Sequence, residues 1–229
     1  MVKFYKRNLV MIAILLLMVL ISGIYANIVS QCVSRFNGYT IVLDAGHGGR
    51  DGGSVGAKGT IEKDINLEYV LALKDKLISK GYKVILTRKN SDGLYSEFAN
   101  NKKQSDMEAR FKIIKEANPN LVISIHMNSF PSSSVKGAST YYRSGDSSGK
   151  MCADLIQESI QTYCGARNQK SKIGDYYILN CSYYSAVLIE CGFISNPEEE
   201  DLLNSSDYKN KMINAIYNGI LLYFGDNHI

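Results

Sequence analysis

No CxxC pair occurs in the 229 residues. The five cysteines (Cys32, Cys152, Cys164, Cys181 and Cys191) stand apart, which excludes a zinc ribbon. Outside the cell an odd number leaves at least one without a partner in the chain, and a Cys152–Cys164 bridge is open but not required. Nucleotide-binding loops fail on spacing. A dinucleotide fingerprint beginning at Gly46 needs a glycine where Asp51 stands, and a phosphate-binding loop needs one where Ala57 precedes Lys58. An excess of one charge is also missing. Residues 1–27 carry Lys3, Lys6 and Arg7 and no acid; without them, 23 of the 26 basic residues face 22 acidic ones, a net of +1 with no footprint for nucleic acid. Internal repeats and low-complexity segments are absent. Histidine is scarce: of His47, His126 and His228 the last is the penultimate residue, so histidine chemistry falls to the first two.

What is present begins with an uncharged run, Leu9–Ala26, behind a basic end. Such a run is a transmembrane anchor or a signal peptide. Ile24, third back from a cut after Ala26, and Gln31 before Cys32 fit cleavage and lipidation poorly. We therefore expect an uncleaved anchor with its positive end in the cytoplasm and the rest of the chain outside the membrane. The expected organisation is an anchor or signal segment over 1–27, a tether over 28–38 and a single domain over 39–229.

Tyr39–Leu43 is a β-branched apolar run that reads as a buried strand. It leads into Asp44 and then into Gly46, Gly48, Gly49, Gly52 and Gly53, which flank His47 and let the backbone turn sharply. A helix from near Thr60 or Ile61 to Lys80 follows, with Ile65, Val70, Leu73 and Leu77 as its buried stripe and Gly81 as its stop. With a second strand at Tyr82–Thr87 this makes a β-α-β unit. Arg88–Lys103 is polar and loop-like. Ser105–Glu108 is a capping box that opens a helix through Ala117. Further strands are expected at Leu121–His126, Ala138–Tyr142 and Ala186–Glu190. Helices are expected at Gly149–Tyr163, from Asn196-Pro197, and from about Ser206 to Tyr223, with Gln169–Ser185 irregular. The fold class is α/β: a twisted, mostly parallel central sheet flanked by helices.

Three of these strands end at or just before a polar residue: His47, His126 and Glu190. Glu62 stands at the start of the first helix, beside the same edge. In a parallel sheet those ends converge on one crevice, where open α/β folds bind ligands. Two histidines and a carboxylate are the ligand set of a catalytic zinc site, and a second carboxylate nearby can take a proton from the attacking water. Bland readings compete. The histidines can be idle turn residues, Glu62 can merely favour the helix dipole, and Glu190 can pair with Arg110 or Lys63.

Four ordered motifs carry a resemblance. Asp44-Ala-Gly-His-Gly-Gly49, Gly59-Thr-Ile-Glu-Lys63, Ser124-Ile-His-Met-Asn128 and Ile189-Glu-Cys-Gly-Phe-Ile-Ser-Asn-Pro197 are similar to the zinc-dependent N-acetylmuramoyl-L-alanine amidases of bacterial cell walls, over about residues 39–224. The resemblance implies zinc on His47, Glu62 and His126, with Glu190 as the catalytic carboxylate. It also implies a substrate-binding role for Asn128 and for Arg110, in a helix like the family's Arg-containing one. Cys191 departs from the small or β-branched residue usual there and is expected to face the core. No wall-binding module follows Tyr223 and no plugging helix separates His126 from Glu190. That is similar to the sporulation type, which strips peptide from cortex muramic acid so that muramic-δ-lactam forms and germination proceeds. The implied setting is the outer membrane face in a spore former, with peptidoglycan as substrate and a protein partner that activates or positions the enzyme. Three alternatives remain: a general autolysin of the same chemistry, a wall-binding scaffold with a relic site, and a cysteine hydrolase using Cys191 with His126.

Overall fold

Continuous burial marks β1 (Thr40–Ala45): every residue after Thr40 is buried, as in a strand covered on both faces. The computed structural model describes residues 11–12, 14–25, 36–166, 169–180 and 183–226. After β1 come α1 (Glu62–Ser79), β2 (Lys83–Leu86), α2 (Lys102–Ala117), β3 (Leu121–Asn128), β4 (Ser139–Tyr142) and α3 (Ser147–Cys164). The chain continues through β5 (Lys172–Ile173), α4 (Tyr177–Asn180), β6 (Ala186–Phe193), α5 (Pro197–Asn204) and α6 (Ser206–Phe224). The strands form one sheet in the order β2-β1-β3-β6-β4-β5.

The first four of these strands are parallel, as expected. The sheet as a whole is mixed, because β4 runs antiparallel to β6. The reason is connectivity: only a short loop joins β3 to β4, with no crossover helix to return the chain to the opposite edge. Helices cover both faces. Ile41, Leu43, Ile123, Ile125, Val187, Ile189 and Cys191 pack with α1, α3 and α6 in the larger core. Val42, Val122 and Leu188 pack with α2 and α4 in the smaller one. Strand alternation therefore assigns Asp44, Ser124, His126 and Glu190 to the face of α2 and α4.

Element ends differ from expectation where a better cap lies nearby. α2 begins before the expected capping box, because the Asn101 side chain accepts from Gln104 N at 3.0 Å; Ser105 lies inside the helix and its hydroxyl accepts from Ser96 N. α3 starts at Ser147, capped by Asp146 on Gly149 N. α5 starts at Pro197 as expected, with Asn196 accepting from Glu198 N and Glu199 N. The irregular Gln169–Ser185 stretch contains β5 and the single turn α4. Cys152, Cys164 and Cys191 are free thiols. The Cys152–Cys164 bridge is ruled out by geometry: both lie on α3, twelve positions apart, about 18 Å along the axis at 1.5 Å per residue. Cys32 and Cys181 lie outside the described residues.

Two units separate along the chain, Met1–Asn37 and Gly38–Ile229. In the first, residues 11–12 and 14–25 are helical with large apolar side chains exposed. Among the described residues no helix is long and apolar enough to cross a membrane. Leu9, Val10, Ala13 and Ala26 of the expected anchor lie outside them.

Candidate metal centre

Two buried arginines fix the loop after β1. Arg110, on α2, donates from Nη1 to Asp44 Oδ1 (2.6 Å) and Ala45 O (2.8 Å), from Nη2 to His47 O, and from Nε to Asp106 Oδ2 (2.6 Å). Arg88, from the stretch read as a polar loop, is 2 % exposed and donates to Ala45 O, Gly46 O and Lys63 O. Asp44 also accepts from Thr87 and Ser124. Burial pushes its carboxyl up, but Arg110 and the two hydroxyls outweigh that and hold it at about 2. This network grips the carbonyls of residues 45–47 and keeps His47 in a left-handed conformation, φ 62°. A non-glycine residue adopts that conformation only where its surroundings over-determine it.

His126 reaches the same point from the end of β3. Its ring lies directly over Gly46, where an added Cβ would fall 2.1 Å from Cε1, so only glycine admits it. The two rings meet edge to face with centroids 5.0 Å apart. Glu62, first residue of α1 and 3 % exposed, stands between them: Oε1 lies 3.2 Å from His47 Nε2 and 3.1 Å from His126 Nδ1. One donor atom from each of the three lies within 4.8 Å of the others. Asn66 and Met127 N donate to Oε1 and Ser54 N to Oε2, while Asp51 Oδ2 lies 3.0 Å from His47 Nδ1. Burial pushes Glu62 up, but hydrogen bonds from His126 and His47 hold it well below the carboxylate range. Burial pushes His47 down, and Glu62 with Asp51 more than reverse this, to about 9. Two imidazole nitrogens and a carboxylate, with His47 and Glu62 each oriented by an outer hydrogen bond, fit a zinc-like cation.

Glu190, on β6, pairs in register with His126 on β3. It is 7 % exposed and, among the described residues, its Oε2 has no hydrogen-bond partner. Burial is the largest influence on it and pushes it up to about 7, with His126 opposing and Glu62 adding. The ion pair with Arg110 or Lys63 is not formed: Arg110 is committed to Asp44 and Asp106, and Lys63 Nζ donates to Gly49 O. Arg110 lines the cavity beside His47 and His126, with its hydrogen bonds directed to Asp44, Ala45 O, His47 O and Asp106. Asn128 is half-buried at the end of β3, its side-chain oxygen holding Ser129 N. A cavity of about 590 Å3 opens from His47 and His126 past Tyr95, Lys102, Lys103 and Tyr176. Cys191 is fully buried against the larger core, where burial raises its thiol far above the ordinary range. It cannot supply the thiolate a cysteine hydrolase needs.

The supporting groups Asp44, Asp51 and Arg88 escaped the sequence reading. Nothing in local spacing distinguishes a buried arginine from the polar loop around it.

A doubly covered α/β sheet with histidines and carboxylates gathered at its strand ends has the layout of a hydrolase. Residues 41–221 match the family described as N-acetylmuramoyl-L-alanine amidase, and the chain belongs to that family. The germination-specific N-acetylmuramoyl-L-alanine amidase of Bacillus subtilis is 37 % identical over 192 residues, which is 82 % of this chain and 81 % of that one. Among solved structures, the CwlD amidase from Clostridioides difficile in complex with the GerS lipoprotein is 39 % identical with a TM-score of 0.79, covering 82 % of this chain and all of that one. The catalytic domain of CwlV from Bacillus (Paenibacillus) polymyxa is 30 % identical with a TM-score of 0.73, covering 82 % of this chain and 98 % of that domain.

Proposed function

We propose that this amidase cleaves the amide between the lactyl group of muramic acid and L-alanine in spore-cortex peptidoglycan, so that muramic-δ-lactam can form. His47, Glu62 and His126 would hold zinc, and Glu190 is the catalytic carboxylate. One observation carries this reading: Glu62 Oε1 lies within 3.2 Å of a nitrogen on each ring, and Glu190 stands in register beside them with a buried oxygen that has no partner among the described residues. The cortex assignment is supported by the 37 % identity to a germination-specific relative.

Zinc, when bound, lowers the pKa of water from 15.7 towards about 7 and polarises the scissile carbonyl. The chain's own residues do the rest. Asp51 holds the proton on His47 Nδ1, which leaves the Nε2 lone pair free to ligate. Ser54 and Asn66 keep the Glu62 carboxylate from rotating. Glu190 Oε2 takes the proton of the attacking water and returns it to the departing amine of L-alanine, and a carboxyl near neutrality suits both transfers. Asn128 contacts the substrate, whereas Arg110 acts beneath the loop. The segment over 1–27 anchors the domain over 39–229 outside the cell, supported by the exposed apolar side chains between Met11 and Tyr25. A partner protein that activates or positions the enzyme completes the reading, since the CwlD relative was solved with a lipoprotein.

The test uses the full chain on peptidoglycan. A free L-alanine amine on the released peptide, loss of activity with a chelator, recovery with zinc and indifference to thiol alkylation are expected; activity that survives metal removal overturns the metal site. Spores of a deletion strain should lack muramic-δ-lactam, and a normal cortex overturns the narrower role. Metal binding should also release a proton. With His47 near 9 its imidazolium must deprotonate to ligate, so about one proton leaves at pH 7.5, and affinity falls about tenfold per pH unit below 9. Titration calorimetry in buffers of different ionisation heat reads this number, and zero release contradicts the assignment of His47.

A further inference from the structure

An acidic run, Glu198-Glu199-Glu200, follows Asn196-Pro197 at the start of α5. Acids in a first turn favour the helix dipole, and Glu198, 82 % exposed, adds only a loose surface ion pair with Lys136 at 3.9 Å. Its two neighbours turn inward, 8 % and 1 % exposed, and neither forms an ion pair among the described residues. Each instead takes backbone N–H groups, from loops remote in sequence and, for Glu199, also from the end of β6. Glu200 Oε2 accepts from Lys58 N (2.8 Å) and Oε1 from Thr60 N (3.0 Å). Glu199 accepts from Gly137 N with both oxygens (3.0 Å) and from Phe193 N with Oε2 (2.7 Å).

These loops are the ones that carry the site. Residues 54–62 form a small hairpin with Val55 bridged to Ile61. At its base Glu62 N donates to Ser54 O, and Ser54 N returns a hydrogen bond to Glu62 Oε2. Glu200 plugs the turn of that hairpin. Gly56 makes room for it, since a Cβ there would lie 2.2 Å from Glu200 Oε1. Asn204, one helical turn on, donates to Thr60 Oγ1. On the other side Phe193 ends β6, three residues beyond Glu190, and Gly137 ends the loop between β3 and β4.

We propose that Glu199 and Glu200 are positioning residues: Glu200 sets the hairpin that presents Glu62 to the two imidazoles, and Glu199 sets the strand end that presents Glu190. A buried carboxylate accepting two N–H groups is a stiff clamp, because truncation strands both donors. The two arms should separate experimentally, since one acts through a metal ligand and the other through the acid–base group. This rests on the metal site proposed above.

The full chain carries Glu200→Ala, Glu199→Gln, Glu198→Ala or Gly56→Ala. Zinc affinity is read by competition with a chromogenic chelator, coordination by the visible spectrum of the cobalt-loaded protein, and turnover on muropeptides. Glu200→Ala should weaken zinc by roughly 10–100-fold and alter the cobalt spectrum. Glu199→Gln should leave both unchanged and lower kcat about tenfold at unchanged KM, which is the lower end for an outer supporting group. Glu198→Ala should change nothing. Should Glu200→Ala fail to fold, Gly56→Ala pushes the same carboxylate away from the turn and should weaken zinc in the same direction. A folded Glu200 or Gly56 variant with wild-type affinity and spectrum overturns the Glu200 arm, and a wild-type kcat in Glu199→Gln overturns the other. Wild-type protein that binds no zinc overturns the metal site and this inference together.

Discussion

Replacing Glu190 by Gln should lower turnover by about 10²–10⁴-fold, the share a positioned acid–base group contributes, while zinc content stays at the wild-type level. The substitution keeps the shape and removes the ionisable proton, so the loss is chemical. A pH signature accompanies it. The folded state holds the Glu190 proton up to about 7, against an ordinary value of 4.5. Between those values the unfolded chain has released a proton that the folded one keeps, so stability falls as pH rises through the window, by roughly 3 kcal/mol in the metal-free protein. Gln carries no such proton, so Glu190→Gln should gain on wild type from pH 4.5 to 7 in urea titrations. Near-normal turnover would end the catalytic assignment, and a pH-independent stability difference would end the account of its burial.

Arg110→Met should cost about 3–5 kcal/mol, because it leaves Asp44 charged and buried without its cation. At about 2–4 °C per kcal/mol for a domain of this size, Tm falls by roughly 6–20 °C. Zinc affinity should fall as well, since Ala45 O and His47 O lose the donor that keeps His47 in its left-handed conformation. The double variant Arg110→Met/Asp44→Asn removes the orphaned charge and should recover part of the loss, so the two changes are non-additive. An Arg110→Met protein with wild-type Tm and altered KM alone would return Arg110 to direct substrate contact.

The strands were legible because each is an apolar run of strand length. β1, β3 and β6 needed no partner to be recognised, and their polar ends pointed to His47, His126 and Glu190. α2 was displaced because two caps competed within five residues, and Asn101 was preferred over Ser105. The antiparallel β4 was missed because period-2 patterning carries no strand direction. Arg110 was placed in the right helix, but its pairing with Asp44 was not read, since charge in a sequence does not say whether it faces water or a buried aspartate.

By itself the sequence determined the family, the α/β class and the four residues proposed to carry the chemistry, because motif identity and hydrophobic period are local properties of the chain. Only the tertiary structure decided that Glu62 Oε1 faces both imidazoles, that Arg88 and Arg110 lie under the His47 loop, and that Glu200 of α5 holds a hairpin 140 residues before it. Those facts depend on which segments pack against one another. Burial then sets whether a charge is solvated, paired or, as at Glu190, left with an oxygen that has no hydrogen-bond partner among the described residues.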